Sequence, residues 1–363
     1  MGRSTDHVGL SRFALLTAAS TWLLIGVGGL VTSHEAGLAV PDWPTTYGYN
    51  LFTFPPSRWV GGIFYEHVHR LAAATVGLLT LVLAAWLWRR EARGWLRWLG
   101  LLAVFTIILQ GVLGGLRVTL LKDQIGLFHA ALAQIFLAVT SLIALATSSW
   151  WAAQRADADV VRASGRGLPV VLAATLLVFA QAILGAAMRH QHAGLAIPDF
   201  PLAYGALWPS WDAQSLARIN RQRAETTDWA PVTAPQIAWH LAHRAAAILV
   251  VLAVVLAIRA IGRSPDGRSG PTAMARLWLA LIVVQFGLGA GTVWTHKNPL
   301  VATAHVMVGA LTFAVGAMLA LILFRQRRAA LAARHPALSE PSRPGLVFAN
   351  SLTAPPVKNP GMS

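Results

Sequence analysis

Four histidines carry the clearest chemistry in this sequence. His69, His129, His243 and His305 each fall in the first turns of a long apolar segment, where an ionisable side chain is costly and turns toward the interior of a helix bundle. One such histidine on every second segment gives two facing pairs. A pair of neutral imidazoles suits axial ligation of a haem iron held between helices. The plainer reading of any one of them is an interhelical hydrogen bond; four at matching positions favour haem. Arg70 and Arg244 each follow one of these histidines and are placed to meet haem propionates, because a guanidinium binds carboxylates bidentately. Glu66 lies three residues before His69 and shares its helix face. A carboxyl there could exchange protons, or it could simply hydrogen-bond a ring or backbone group to fix orientation.

These side chains need bilayer-crossing helices to position them, and the composition supplies them. Of 363 residues, 56% are hydrophobic and 12% charged, about half the charge of a soluble domain, which excludes a soluble enzyme. Eight windows of about 20 apolar residues, the length of a transmembrane helix, run over 13–32, 60–88, 98–116, 125–151, 168–187, 236–258, 275–294 and 300–324. The net charge of +15 does not mark nucleic-acid binding, because the basic residues lie between apolar runs. Lys and Arg number 19 on the side of the two termini and 8 on the other, so the positive-inside rule predicts a multi-pass plasma-membrane protein with both termini cytoplasmic. With no cysteine, the chain has no disulfide, thiolate nucleophile, iron–sulfur cluster or Cys-ligated zinc.

The segments repeat. Gly37-Leu38-Ala39-Val40-Pro41-Asp42-Trp43-Pro44 after the first span matches Gly194-Leu195-Ala196-Ile197-Pro198-Asp199-Phe200-Pro201 after the fifth, and Tyr47-Gly48 and Tyr204-Gly205 follow at equal distance. Glu66 to Arg70 matches His240 to Arg244, Gln110 to Gly115 matches Gln285 to Ala290, and His129 matches His305. The predicted fold is therefore all-α, with eight transmembrane helices forming two tandem four-helix bundles related by a pseudo-two-fold axis along the membrane normal. The expected divisions are a cytoplasmic N-terminus 1–12, a first half 13–151, a cytoplasmic linker 152–167, a second half 168–324 and a disordered cytoplasmic tail 325–363. Glu66 occurs in one half only, its counterpart being His240, which predicts one reactive site and one auxiliary site.

Other candidates carry less. His34, His190, His192 and His296 read as solvated or interfacial, and His67 as a packing residue. Gly111 with Gly115 and Gly287 with Gly291 read as close-packing pairs, and Asp42 and Asp199 as turn formers in rigid outer loops. The stretch 190–235, with Arg218, Arg221 and Arg223, reads as an insertion rather than a docking surface.

Taken together, the eight spans, the Glu66, His69 and Arg70 motif, the His243-Arg244 pair, the lone His129 and His305, and the Pro-Asp-aromatic-Pro loops resemble the heme A synthase family of cytochrome oxidase biogenesis. The resemblance covers about residues 13–324 and implies an oxidoreductase that converts heme O to heme A, oxidising the C8 methyl to a formyl group with dioxygen. It implies that His69, His129 and Arg70 bind the heme O substrate, that Glu66 is catalytic, and that His243, His305 and Arg244 hold a haem b cofactor. The lipid bilayer would deliver the long-tailed substrate; a heme O synthase, an electron donor and a second copy of the chain stay open as partners. Unlike many bacterial members, the chain lacks loop cysteine pairs. The residues alone also admit a non-enzymatic dihaem electron carrier, or a proton-coupled transporter built on the repeat.

Overall fold

The computed structural model describes residues 2–153, 158–261 and 270–334. Its architecture is helical, and among the described residues there is no strand beyond the isolated bridges Thr46 to Tyr49 and Ala203 to Ala206. The helices are α1 (Gly2–Ser33), α2 (Gly61–Arg90), α3 (Gly94–Leu120), α4 (Asp123–Thr147), a short α5 (Ser149–Ala153), α6 (Ala158–His190), α7 (Ala213–Thr226), α8 (Ala234–Ile261), α9 (Gly270–Trp294) and α10 (Pro299–Arg334). Eight of these, all but α5 and α7, are long and apolar enough to cross a membrane. A helix satisfies its own backbone hydrogen bonds, which is why these sequences take this form in lipid.

The first half packs in the cyclic order α1, α2, α3, α4, and the second half repeats it with α6, α8, α9, α10. Contacts between the halves run α1 to α10, α4 to α10 and α4 to α6. Exchanging the halves converts the first of these into the last and returns the middle one to itself, as the expected pseudo-two-fold relation requires. Helices α4 and α10 are the inner pair: 50% and 56% of their apolar windows are buried, against 22–39% for the other six. Outer helices instead present Leu78, Phe105, Ile108, Leu252 and Val283 outward, the pattern of a lipid-facing surface.

Without a hydrophobic driving force between helices in lipid, packing and small residues decide the crossings. Gly26 and Gly29 of α1 bring that helix against Met307 and Thr303 of α10, where Trp22 Nε1 donates to the Met307 carbonyl at 3.0 Å. In the second half, Trp278 is fully buried, donates to the Thr312 carbonyl at 2.8 Å, and occupies the space left by Gly316.

Several expected boundaries shift: α1 opens at Gly2 rather than 13, and α6 at Ala158 rather than 168. The fourth span ends at Thr147 rather than at 151, since Ser148 adopts an extended backbone and opens α5. The tail expected from 325 begins instead as helix, because α10 runs on to Arg334 and Arg325 stacks over Trp151; the rest of that segment lies outside the described residues.

Candidate functional site

Each half closes on its outer side with a loop fastened by the same three devices. Asp42 accepts the backbone N–H groups of Tyr47 at 2.7 Å and Gly48 at 2.8 Å, and Asp199 accepts those of Tyr204 and Gly205 at the same distances. Gly48 and Gly205 sit at φ +77° and +78°, a left-handed conformation natural to glycine. Tyr47 and Tyr204 donate back to the carbonyls of Ala39 and Ala196. Burial works to raise the Asp42 pKa, but the hydrogen bonds from Gly48, Thr45 and Tyr47 outweigh it and hold the carboxyl below its ordinary 3.8. Burial, reinforced by Asp199 and opposed by Arg223 and Arg244, lifts the Tyr204 phenol to about 12.

The second and third devices come from α2 and α8, the helices that carry His69 and His243. Arg70 donates to the carbonyls of Val40, Asp42 and Thr45, and Arg244 donates to the equivalent carbonyls of Ile197, Asp199 and Leu202. Glu66 Oε2 accepts the Val40 N–H at 2.8 Å, while His240 Nδ1 accepts the Ile197 N–H at 3.3 Å. The halves differ in one respect: Glu66 Oε1 also pairs with Arg70 at 2.7 Å, whereas His240 offers Arg244 no charge.

The terminal nitrogens of both arginines thus turn to the loops. Sequence adjacency to a histidine suggested haem carboxylates, but all four terminal N–H bonds of Arg70 are engaged by Glu66 and three loop carbonyls. The physical reason is that each turn converges three carbonyls on one point, and a five-donor guanidinium satisfies them together. Arg244 is less completely engaged, and its buried Nε has no partner.

Beneath the loops stand the four histidines, each half-buried and each with its Cε1 edge set against a glycine of a neighbouring helix. A Cβ would lie 3.1 Å from His69 at Gly28, 3.6 Å from His129 at Gly114, 2.9 Å from His243 at Gly185 and 3.2 Å from His305 at Gly289. Gly28 and Gly185 are repeat-equivalent, as are Gly114 and Gly289. These cradles escaped the sequence reading, which singled out Gly111 and Gly287; those two have nothing within 4 Å, and Gly115 is filled by Trp43. The available signal was their fixed offset from the loop and Gln motifs in both halves.

The donor set fits a haem iron. In the second half the His243 and His305 rings meet edge-on, at 73° to each other, with centroids 6.5 Å apart. A metal between two imidazoles sits about 2 Å from each nitrogen, and each centroid lies about 1 Å beyond, giving roughly 6 Å. In the first half His69 and His129 are set against Gly28 and Gly114 in the same way. The Nδ1 atoms of His69, His129 and His305 are buried without a hydrogen-bond partner, while His305 Nε2 lies 3.4 Å from Gln285 Nε2. Glutamines hold the surrounding backbone: Gln110 Nε2 donates to the His129 carbonyl at 3.0 Å, and Gln181 Nε2 donates to the His243 carbonyl at 2.9 Å while lying 3.2 Å from its Nδ1. The first-half counterpart of Gln181 is Leu24, so this support exists on one side only.

The lesser candidates resolve into structure. His67 is fully buried between Phe54 and Trp59, and its Nδ1 lies 3.2 Å from Thr46 Oγ1. His34 stacks on Tyr65 and His296 meets the edge of Trp229. His190, expected to be solvated or interfacial, packs against Gly126 at the outer end of α6. The 190–235 insertion carries α7, capped by Asp212, whose pKa is pulled down by hydrogen bonds from Ser210 and Ser215. Leu216 and Ile219 seat this helix on the second-half loop, and Arg223 donates to the Leu195 carbonyl at 3.0 Å.

Comparison with known proteins agrees with this arrangement in extent. The sequence profile of the cytochrome oxidase assembly protein family matches residues 11–317. A protein of Halalkalibacterium halodurans named heme A synthase is 26% identical over 332 residues, covering 88% of this chain and 99% of its own. One of the same name from Shouchella clausii is 28% identical with the same coverage, and one from Rhizorhabdus wittichii is 26% identical, covering 84% of this chain and 91% of its own.

Proposed function

Because the chain belongs to the cytochrome oxidase assembly protein family, we propose that it is a heme A synthase, an oxidoreductase that turns the C8 methyl of heme O into a formyl group. Two successive hydroxylations each consume one dioxygen, two electrons and two protons, place one oxygen atom in a C–H bond and release the other as water. The resulting gem-diol then loses water. Bound haem iron supplies the redox chemistry; the chain supplies position, proton handling and exclusion of water.

The observation that carries the reading is the duplicated histidine pair in glycine cradles, with a carboxylate in one copy only. His69 and His129 are assigned to the iron of the substrate heme O, and His243 and His305 to a retained haem b that passes electrons. Arg70 and Arg244 act on both sites by clamping the loops above them, Arg244 keeping a free Nε for a haem carboxylate. Glu66 is assigned the proton exchange. Its carboxylate is held between Val40 N–H and Arg70, one turn before His69, so a proton taken up at Oε1 weakens the Arg70 pair and couples the reaction to the loop. Heme O, with its long apolar tail, enters from the lipid side. Both termini face the cytoplasm, and the membrane is the plasma membrane.

A second reading, a dihaem electron carrier, is favoured by one observation: both Glu66 oxygens are engaged in the loop latch, as the histidine at the equivalent position is. Haem extraction and mass analysis after expression with a heme O source separates the two. Heme A or its hydroxylated precursor is expected; unmodified protohaem at two per chain would establish the carrier instead.

A further inference from the structure

With the Arg70 guanidinium engaged by the protein, the first-half site needs another cation if its ligand is anionic, and one is present. Arg117, in the last turn of α3, lies against two glycines. A Cβ on Gly37 of the outer loop would be 2.7 Å from its Nη1 and 2.9 Å from its Nη2, and a Cβ on Gly126 of α4 would be 3.3 Å from its Nε. Gly126 is three residues before His129, on the same face of α4. Among the described side chains no carboxylate or other acceptor pairs with this guanidinium.

A second cation stands behind it. Arg189, at the end of α6, crosses from the second half to donate to Ser33 Oγ at 2.7 Å and the Gly29 carbonyl at 3.2 Å, and its chain neighbour His190 shares with Arg117 the space over Gly126. Two guanidinium groups at a membrane-embedded junction repel each other, and an anion placed against the outer one relieves that cost. The second half is built differently. Its counterpart of Arg117 is Thr292, which bonds the Leu288 carbonyl, and the loop glycine there, Gly194, is covered by Lys297. A planar fork serves one half and a point charge the other.

We propose that Arg117, backed by Arg189, is the carboxylate-binding residue of the first-half site and holds the propionate edge of the substrate macrocycle. This rests on the heme O reading, and its test uses binding rather than turnover so that the two can fail separately. The purified full chain is titrated with ferric heme O and with its dimethyl ester, and the first-half signal is identified by its loss in His129→Ala. The unsubstituted protein should bind the diacid about tenfold or more tightly than the diester, the worth of a charge-assisted hydrogen bond. Arg117→Gln should erase that preference by weakening the diacid alone, and Arg117→Lys should restore part of it. Equal binding of diacid and diester by the unsubstituted chain, or an undiminished preference in Arg117→Gln, would overturn the assignment. If Arg117→Gln fails to fold, the diacid-to-diester ratio of the unsubstituted chain and of Arg189→Gln decides. Absence of heme A from the same preparation would remove the enzymatic reading and leave the carboxylate result standing.

Discussion

The two halves share a backbone plan and part company in a few side chains at the same depth. Both have a loop turn fastened by an aspartate and an arginine, and both set two histidine edges against glycines. The first half then places Glu66 where the second has His240, Leu24 where the second has Gln181, and Arg117 where the second has Thr292. The second half is thus the one with added support for its ligand backbone, and the first the one with added charge. That is the division expected between a site that retains its occupant and a site that exchanges and transforms one.

The comparison breaks most completely at the histidines. His243→Ala should abolish the retained b-type absorption spectrum, while His69→Ala should leave it in place; loss of the spectrum from both variants would mean that the sites are not separate. Glu66→His copies the second half and preserves a ring nitrogen to accept the Val40 N–H. Product formation should still fall about a hundredfold or more, the usual contribution of a positioned acid or base, with the retained haem unaffected. Normal heme A output from that variant would reduce Glu66 to a latch.

Smaller changes sharpen the contrast. Gly185→Ala places a methyl 2.9 Å from His243, Gly28→Ala one 3.1 Å from His69, and Gly114→Ala one 3.6 Å from His129. Haem content of purified protein should therefore drop for Gly185→Ala, substrate KM should rise modestly for Gly28→Ala, and Gly114→Ala should be near neutral; a reversed order would discard the cradle. Gln181→Leu gives the second half the first half's residue and removes one hydrogen bond, worth about 1 kcal/mol, so retained haem should dissociate about fivefold faster. Unchanged dissociation would show the asymmetry to be idle. The slightest effect concerns the loop turn. Because Asp42 is held below 3.8, its ionised form adds stability above that value, and the addition is lost as pH falls through the lowered pKa. Tryptophan fluorescence should report an acid transition that Asp42→Asn lacks; superimposable curves would dissociate Asp42 from it.

Much of this molecule is legible from its residues. Spans, histidines and the duplicated loop are encoded in type and spacing, since lipid tolerates few charges and each exception stands out. Four things were not legible. Arg70 beside His69 looks available in a sequence, because the loop carbonyls that engage it have no side-chain signature. Gly28 sits in a run containing other glycines and Gly185 is a lone glycine in an apolar run, so only the ring opposite each gives it meaning. Gln181 has no repeat partner to draw attention to it, and α7 is hidden in a polar stretch, although Asp212 with Ser215 is a helix-start signal.

The contacts between the halves, α1 to α10, α4 to α10 and α4 to α6, have the self-complementary form of an isologous dimer interface. Two identical subunits meeting this way would have to carry the same residue at both copies of every position. Joining them in one chain lifts that constraint while keeping the interface, so a carboxylate on one side and an imidazole on the other become encodable. On this view the covalent linkage contributes little to how the bundles pack; what it permits is that the copies differ.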